Sequence, residues 1–180
     1  MSILKVARMG HPVLRERARP LDKSAMKDPL FQKLIDDMID TMHEYHGVGL
    51  AAPQVHEGLR LFVALLDEDP DSKSEATAII NPEIIPNAPD TREAWEGCLS
   101  IPDIRGRVTR AREIKVKAYD RRGRRIELNA RGFTARVIQH ETDHLDGVLF
   151  LDRMASFETL TFLDEFGRYW SPRDRDVPEE

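Results

Sequence analysis

The sequence predicts an α+β fold, and three features predict it. Apolar residues recur at helical spacing in Leu30, Phe31, Leu34, Ile35, Met38, Ile39 and Met42. Two-residue alternation runs through 113–119, with Ile114, Val116 and Ala118 set against Glu113, Lys115 and Lys117. A second helical stretch follows, so the order is helix, strands, hairpin, helix, not alternating strand and helix units.

The first helix is expected over about 29–45. Asp28 can accept from an early backbone N–H, and Pro29 suits the first helical position because it has no N–H to lose. Gly47 and Gly49 end this helix and open a loop. Residues 60–66 and 77–81 read as buried strands separated by an acidic stretch from Asp67 to Glu75. A turn around Arg122-Gly123 returns the chain through Ile126 and Leu128 as a hairpin. The second helix is expected over about 132–146, with Phe133, Val137, Ile138, His144 and Leu145 near its inner face and Gly147 as its cap. Residues 171–180 are charged and read as a frayed tail, which leaves 1–170 as one domain.

A length of 180 residues suits one domain with an ordinary core. With 33% charged and 41% hydrophobic residues the composition is globular, and no stretch is long and apolar enough to span a membrane. The net charge of −5 argues against general or specific DNA binding. The single cysteine, Cys98, cannot form an internal disulfide, so a reducing, cytoplasmic setting is expected. Lys5, Arg8, Arg15, Arg17 and Arg19 make the N-terminus basic, but it lacks the apolar core of a signal peptide.

The chemistry centres on His140-Glu141-Thr142-Asp143-His144. On a helix the two histidines lie one turn apart on one face, so both imidazoles can reach a single metal ion. Glu141 sits on the neighbouring flank, placed to handle a proton of water held there. A catalytic metal site usually keeps three protein ligands and one open position. Cys98 is the best third candidate, because a thiolate binds soft and borderline metals and Gly97 gives the backbone freedom beside it. Spacing alone leaves two other fates open for Cys98: a buried inert thiol, or a nucleophile served by a histidine base. Gly47 and Gly49 flank Val48, so a peptide could approach the main chain there and pair with it like an added strand. These residues read as a metal-dependent hydrolase.

Three runs carry a family resemblance. Gly47-Val48-Gly49-Leu50-Ala51-Ala52-Pro53-Gln54, Glu96-Gly97-Cys98-Leu99-Ser100 and Gln139-His140-Glu141-Thr142-Asp143-His144 resemble the signature motifs of peptide deformylase, in the family's order. The likeness extends over roughly residues 5–155. It implies antiparallel strands packed around a central helix that carries the histidine motif. It also implies hydrolysis of the formyl group from N-formylmethionine at the start of new polypeptides, with release of formate. The family's metal ligands fall on Cys98, His140 and His144, in agreement with the set read from the residues. The resemblance assigns proton transfer to Glu141, and oxyanion stabilisation to the Gln54 amide and the Leu99 backbone N–H. Backbone groups of Val48, Gly49 and Gly97 would hold the substrate's main chain, Arg105 would line the cleft, and Arg136 and Val137 would border the methionine pocket. The implied metal is ferrous iron, with zinc, nickel or cobalt able to substitute; a His₂Cys set by itself would suggest zinc. The implied partners are formylated nascent peptides and, transiently, the ribosome, and the implied state is a monomer.

Three departures from the family pattern stand out. Arg136 replaces the aliphatic residue of many bacterial members, although another branch also has arginine there. Its stem is expected to line the pocket's mouth while its head reaches water or a carboxylate. Trp95 stands where an acidic residue is common and would form an aromatic lip. The segment from Phe157 to Trp170 is aromatic and acidic, unlike the basic terminal helix that some members use at the ribosome. Arg121-Arg122-Gly123-Arg124-Arg125 offers a basic alternative, or simply a solvated turn. His43 and His46 are spaced for metal binding but read as surface residues, and His11 and His56 carry no companion that would suggest chemistry. Two other functions remain: a His-Glu-x-x-His metalloprotease, and a non-catalytic, ribosome-associated homologue. Retention of Gln54, Cys98, Glu141 and both histidines argues against the second.

Overall fold

Helix α1 spans Pro29–Glu44, and the Asp28 carboxylate accepts from Leu30 N at 2.8 Å, as the cap pattern requires. The computed structural model describes residues 2–66, 76–87 and 89–171. After α1 come β1 (Gly49–Ala51), β2 (Leu61–Ala64), β3 (Thr77–Pro86), β4 (Thr91–Cys98), β5 (Ile101–Ala111), β6 (Glu113–Tyr119) and β7 (Arg125–Arg131). Helix α2 (Gly132–Leu145), the short strand β8 (Thr161–Phe162) and helix α3 (Leu163–Tyr169) complete the described chain. The acidic stretch Asp67 to Glu75 and all but Ser171 of the expected tail lie outside the described residues.

The strands form two antiparallel sheets, ordered β1-β2-β3-β6-β7 and β4-β5-β8. Strand β2 shows how the large sheet is held, because all four of its residues are buried. Alternation sends Leu61 and Val63 to one face, where they join Ile35, Met38 and Met42 of α1. Phe62 and Ala64 face the other way, onto Ala135, Val137, Ile138 and Leu145 of α2. The sheet therefore lies between two helices. Each fully buried aliphatic chain contributes about 1.5–3 kcal/mol, so α2 is anchored by its apolar stripe and its polar stripe can face a cleft.

The alternating stretch forms β6, with Ile114, Val116 and Ala118 inward, and pairs with β7 as the predicted hairpin. Gly147 ends the turn after α2 at φ +73, and a Cβ there would lie 2.6 Å from the Arg15 carbonyl oxygen, so only glycine fits. One expectation fails: Phe133 is 59% exposed, because the first turn of α2 projects at the cleft mouth beyond the sheet. The β4–β5 hairpin and the β8–α3 segment carry no clear apolar period and were not anticipated. The small sheet packs through Ile101 and Val108 onto Leu14, Leu149 and Phe150. No described helix is long and apolar enough to cross a membrane.

Candidate active site

Helix α2 presents His140, Glu141 and His144, and the end of β4 brings Cys98 to them. The candidate ligand atoms of Cys98, His140 and His144 all lie within 4.8 Å of one another, and all three residues are buried. Cys98 Sγ lies 3.2 Å from His144 Nε2, and the two imidazole centroids are 5.0 Å apart. One soft and two borderline donors converging on a point suit a single divalent transition metal. Burial opposes ionisation of Cys98, yet the neighbouring His144 charge and hydrogen bonds with both imidazoles hold its thiol well below the usual range. His140 shows the converse, with its burial outweighed by hydrogen bonds to Cys98 and Glu96 that push its pKa well up.

Glu141 is 4% exposed, and burial raises its carboxyl to about 7. Its Oε2 has no hydrogen-bond partner among the described residues. Its Oε1 lies 2.4 Å from where a Cβ on Gly49 would stand, so glycine at 49 makes room for this carboxylate. The Gln54 amide has a fixed orientation. Its Oε1 accepts from Ala51 N at 2.8 Å, so Nε2 is left to donate to Ser100 Oγ at 3.2 Å and toward Cys98 Sγ at 3.5 Å. A buried N–H therefore points at the centre of the site.

Behind His140 lies a buried network of charges. Glu96 accepts from His140 Nδ1 at 2.9 Å, from Arg110 Nε and Nη2 at 2.9 and 3.0 Å, and from Arg136 Nη1 at 2.7 Å. Burial alone would keep Glu96 neutral, but His140 and Arg110 hold its carboxyl far below the usual range. The bond to Nδ1 fixes the ring orientation and leaves Nε2 as the atom that could meet a metal ion. Arg110 also donates to Asp143 at 2.5 Å, and Arg153 closes the network on Asp143 at 2.7 Å. Glu96, Arg110 and Asp143 were missed as functional residues, because they lie 14 and 33 residues apart in sequence and only the fold brings them together. Arg136 lines the cleft, and of the two fates expected for its head it takes the carboxylate, bonding Glu96 as well as Val108 O at 2.8 Å and Arg92 O at 2.7 Å.

These groups open on one cleft of about 590 Å³. Val48, Gly49, Gly97, Leu99, Arg105 and Val137 all line it, alongside Gln54, Cys98, His140 and Glu141. The Arg105 guanidinium covers Gly97, where a Cβ would meet Nη1 at 2.1 Å. Trp95 stands at the rim, as the aromatic lip requires, and Leu163 joins it there without any local sequence signal. The basic hairpin tip is partly engaged: Arg121 pairs with Asp36 at 2.8 Å and Arg124 with Asp120 at 2.6 Å. His43 and His46 join no metal cluster among the described residues. His11 and His56 meet each other edge to face at 4.7 Å and join no metal cluster among the described residues.

A family model described as polypeptide deformylase matches residues 3–159. A peptide deformylase of Dehalococcoides mccartyi is 43% identical over 180 residues, all of this chain and 98% of that one. The crystal structure of peptide deformylase from Thermotoga maritima superposes with a TM-score of 0.78 at 44% identity, over 87% of this chain and all of the other. A Met-Ala-Ser-bound class I type b peptide deformylase from Acinetobacter baumannii gives 0.80 at 38% identity, over 86% of this chain and all of that one.

Proposed function

This chain belongs to the peptide deformylase family, and on that premise we propose how its residues divide the work of the reaction. The reaction is hydrolysis of the formyl amide of N-formylmethionine peptides. Cys98, His140 and His144 would hold one divalent ion, ferrous iron in our reading, with zinc, nickel or cobalt able to stand in. When bound, the ion supplies Lewis acidity and lowers the pKa of water toward about 7.

Glu141 takes the proton of the attacking water at its uncommitted Oε2 and passes it to the departing nitrogen. As the formyl carbon becomes tetrahedral its oxygen gains charge, and Gln54 Nε2 donates to it with the Leu99 backbone N–H. Because Ala51 N already fixes the amide, this donor needs no reorganisation. Backbone groups of Val48, Gly49 and Gly97 hold the peptide, while Val137 and the Arg136 stem border the methionine side chain and Arg105 flanks the chain beyond. A cleft of the kind that holds Met-Ala-Ser in the Acinetobacter relative would hold the same class of peptide here. We place the catalytic unit in residues 1–170 of a cytoplasmic monomer that meets its substrate at the ribosome, with no DNA or membrane partner.

The observation that carries this reading is a Cys-His-His cluster within 4.8 Å, beside a buried carboxylate with one free oxygen and an oriented amide donor. The test is formate release from formyl-Met-Ala-Ser, with metal content measured on the same samples. Chelation should abolish release, and ferrous iron, nickel or cobalt should restore it. Full activity in metal-free protein, or cleavage of internal peptide bonds, would overturn the assignment.

A further inference from the structure

The short helical turn that follows α2, Phe150–Arg153, backs onto the Cys-His-His cluster. It is seated on β5 at Gly106, where a Cβ would lie 3.2 Å from the Phe150 ring and 2.6 Å from Met154 Sδ. Gly106 is the β5 residue paired with Glu96 of β4, so the turn lies close to the carboxylate that holds His140. The Phe150 ring runs nearly parallel to that of His140, at 22° with centroids 6.4 Å apart. Arg15 pairs with Asp152 and pins the turn from its other side. Arg153 reaches the same imidazole by a longer route. Its Nη2 and Nε donate to the two oxygens of Asp143 at 2.7 and 3.1 Å. Arg110 Nη1 donates to Asp143 at 2.5 Å, its Nε and Nη2 grip Glu96, and Glu96 meets His140 Nδ1 at 2.9 Å. Asp143, Arg110 and Glu96 are all buried, whereas the Arg153 side chain is 50% exposed.

We infer that Arg153 is a positioning residue for His140, acting through Asp143, Arg110 and Glu96. The inference rests on the metal-dependent function proposed above. An isolated, half-exposed ion pair contributes little. This one differs because its carboxylate is buried and shared between two arginines. Charges alternate along the chain, and two of its links are forked contacts between planar groups, which fix direction as well as distance. Asp143 also belongs to α2, three residues after His140 and one before His144, so holding it steadies the helix that carries both histidines. With Arg153 gone, the Asp143 carboxylate is held by Arg110 alone and can turn, drawing Arg110 off its forked seat on Glu96. The His140 ring then loses part of its fixed orientation. A through-space effect would have the opposite sign, since removing a cation favours a divalent ion by charge alone. The sign therefore separates positioning from charge.

The measurement is the rate at which cobalt(II)-loaded protein gives up its metal to a chromophoric chelator, with the thiolate-to-cobalt absorption followed on the same samples. Arg153→Met should speed metal loss by roughly fivefold, less than the about 10–100-fold usual when a direct outer partner of a metal ligand is removed. Arg153→Lys keeps the charge but not the fork, and should be nearly as fast. In an Asp143→Asn background, Arg153→Met should add no further change, because the relay is already cut. If that background does not fold, the pair Arg153→Met and Arg153→Lys still separates geometry from charge. Urea unfolding of the metal-free variants measures any loss to the fold itself. Lower stability with an unchanged rate of metal loss would reduce Arg153 to a structural role and overturn the relay. Slower metal loss in Arg153→Met, with Arg153→Lys like the unaltered protein, would overturn it in favour of charge. An unaltered protein that holds no cobalt would sink the metal-dependent function and the relay together, whereas normal retention in every variant sinks the relay alone.

Discussion

The two faces of β4 are neighbours in sequence and opposite in chemistry. Inward, Glu96 is buried and gathers two arginines and a histidine; outward, Trp95 packs against Phe166 and Trp170 beneath Arg107. A buried charge is costly unless its partners are complete, so the inner face is highly specified and should fail sharply when one member is lost. Aromatic packing is less exacting than a buried ion network and here is half open to solvent, so the outer face should tolerate change and respond in proportion to lost area. The inner face orients His140 of the Cys-His-His cluster, where small displacements are expensive. The outer face carries the returning C-terminal segment, where small displacements cost little.

The largest effect should come from removing the carboxylate that organises the inner face. Glu96→Ala leaves Arg110 and Arg136 buried without their partner and frees the His140 ring. We expect a loss of about 3–5 kcal/mol in unfolding free energy. Metal affinity should fall by about 10–100-fold, because the imidazole loses its orienting acceptor. Urea unfolding and competition with a chromophoric chelator measure the two. Loss of stability with unchanged metal affinity would show that the network serves the fold alone.

Glu141→Gln touches neither face and calibrates both. Turnover should fall by at least about a hundredfold, since acid–base help is worth 10²–10⁴, while metal content stays intact. Gly49→Ala should imitate it, because the added methyl would occupy the place of Glu141 Oε1. A Glu141→Gln enzyme with near-normal kcat would mean the proton travels by another group.

Trp95→Ala is the matching lesion on the outer face. With the ring only half buried, stability should drop by about 1–2 kcal/mol, below the usual cost for a core tryptophan. Metal content and kcat on a minimal formyl-Met amide should not change. A loss of bound metal would show that the two faces are coupled through the strand.

The contrast between faces also explains what was legible in the sequence. Helices α1 and α2 and the β6–β7 hairpin were readable because Ile35, Met38, Val137 and Val116 face aliphatic neighbours, so burial and hydrophobicity coincide. The cluster of Cys98, His140 and His144 with Glu141 beside it was readable because such chemistry needs particular side chains at fixed spacing. Strands β4 and β5 were not, because two of their inward positions hold Glu96 and Arg110, which a hydrophobic period cannot register. The place of Leu163 in the cleft depends on a two-residue pairing with β5, far away in sequence and without any local signal. Arg136 could be placed near the site by helical spacing, but the direction of its head depended on Glu96.

Arg136 is where the comparison can be tested most finely, and where the smallest effect is expected. Its guanidinium is buried, and both burial and the nearby Arg110 charge depress its pKa, so its attraction to Glu96 is partly offset. Glu96 would keep the two-pronged contact with Arg110 and the bond to His140 without it. Arg136→Met keeps an unbranched stem in the same channel but leaves Val108 O and Arg92 O without this donor. Opposed terms of this kind should nearly cancel, giving a change within about 1 kcal/mol of either sign. Because the head points away from the peptide, the kcat/KM ratio between formyl-Met and formyl-norleucine substrates should move by only about twofold. A loss near that of Glu96→Ala would show that both arginines are needed to hold the carboxylate. A large shift in the substrate ratio would instead place the Arg136 head in the methionine pocket during turnover.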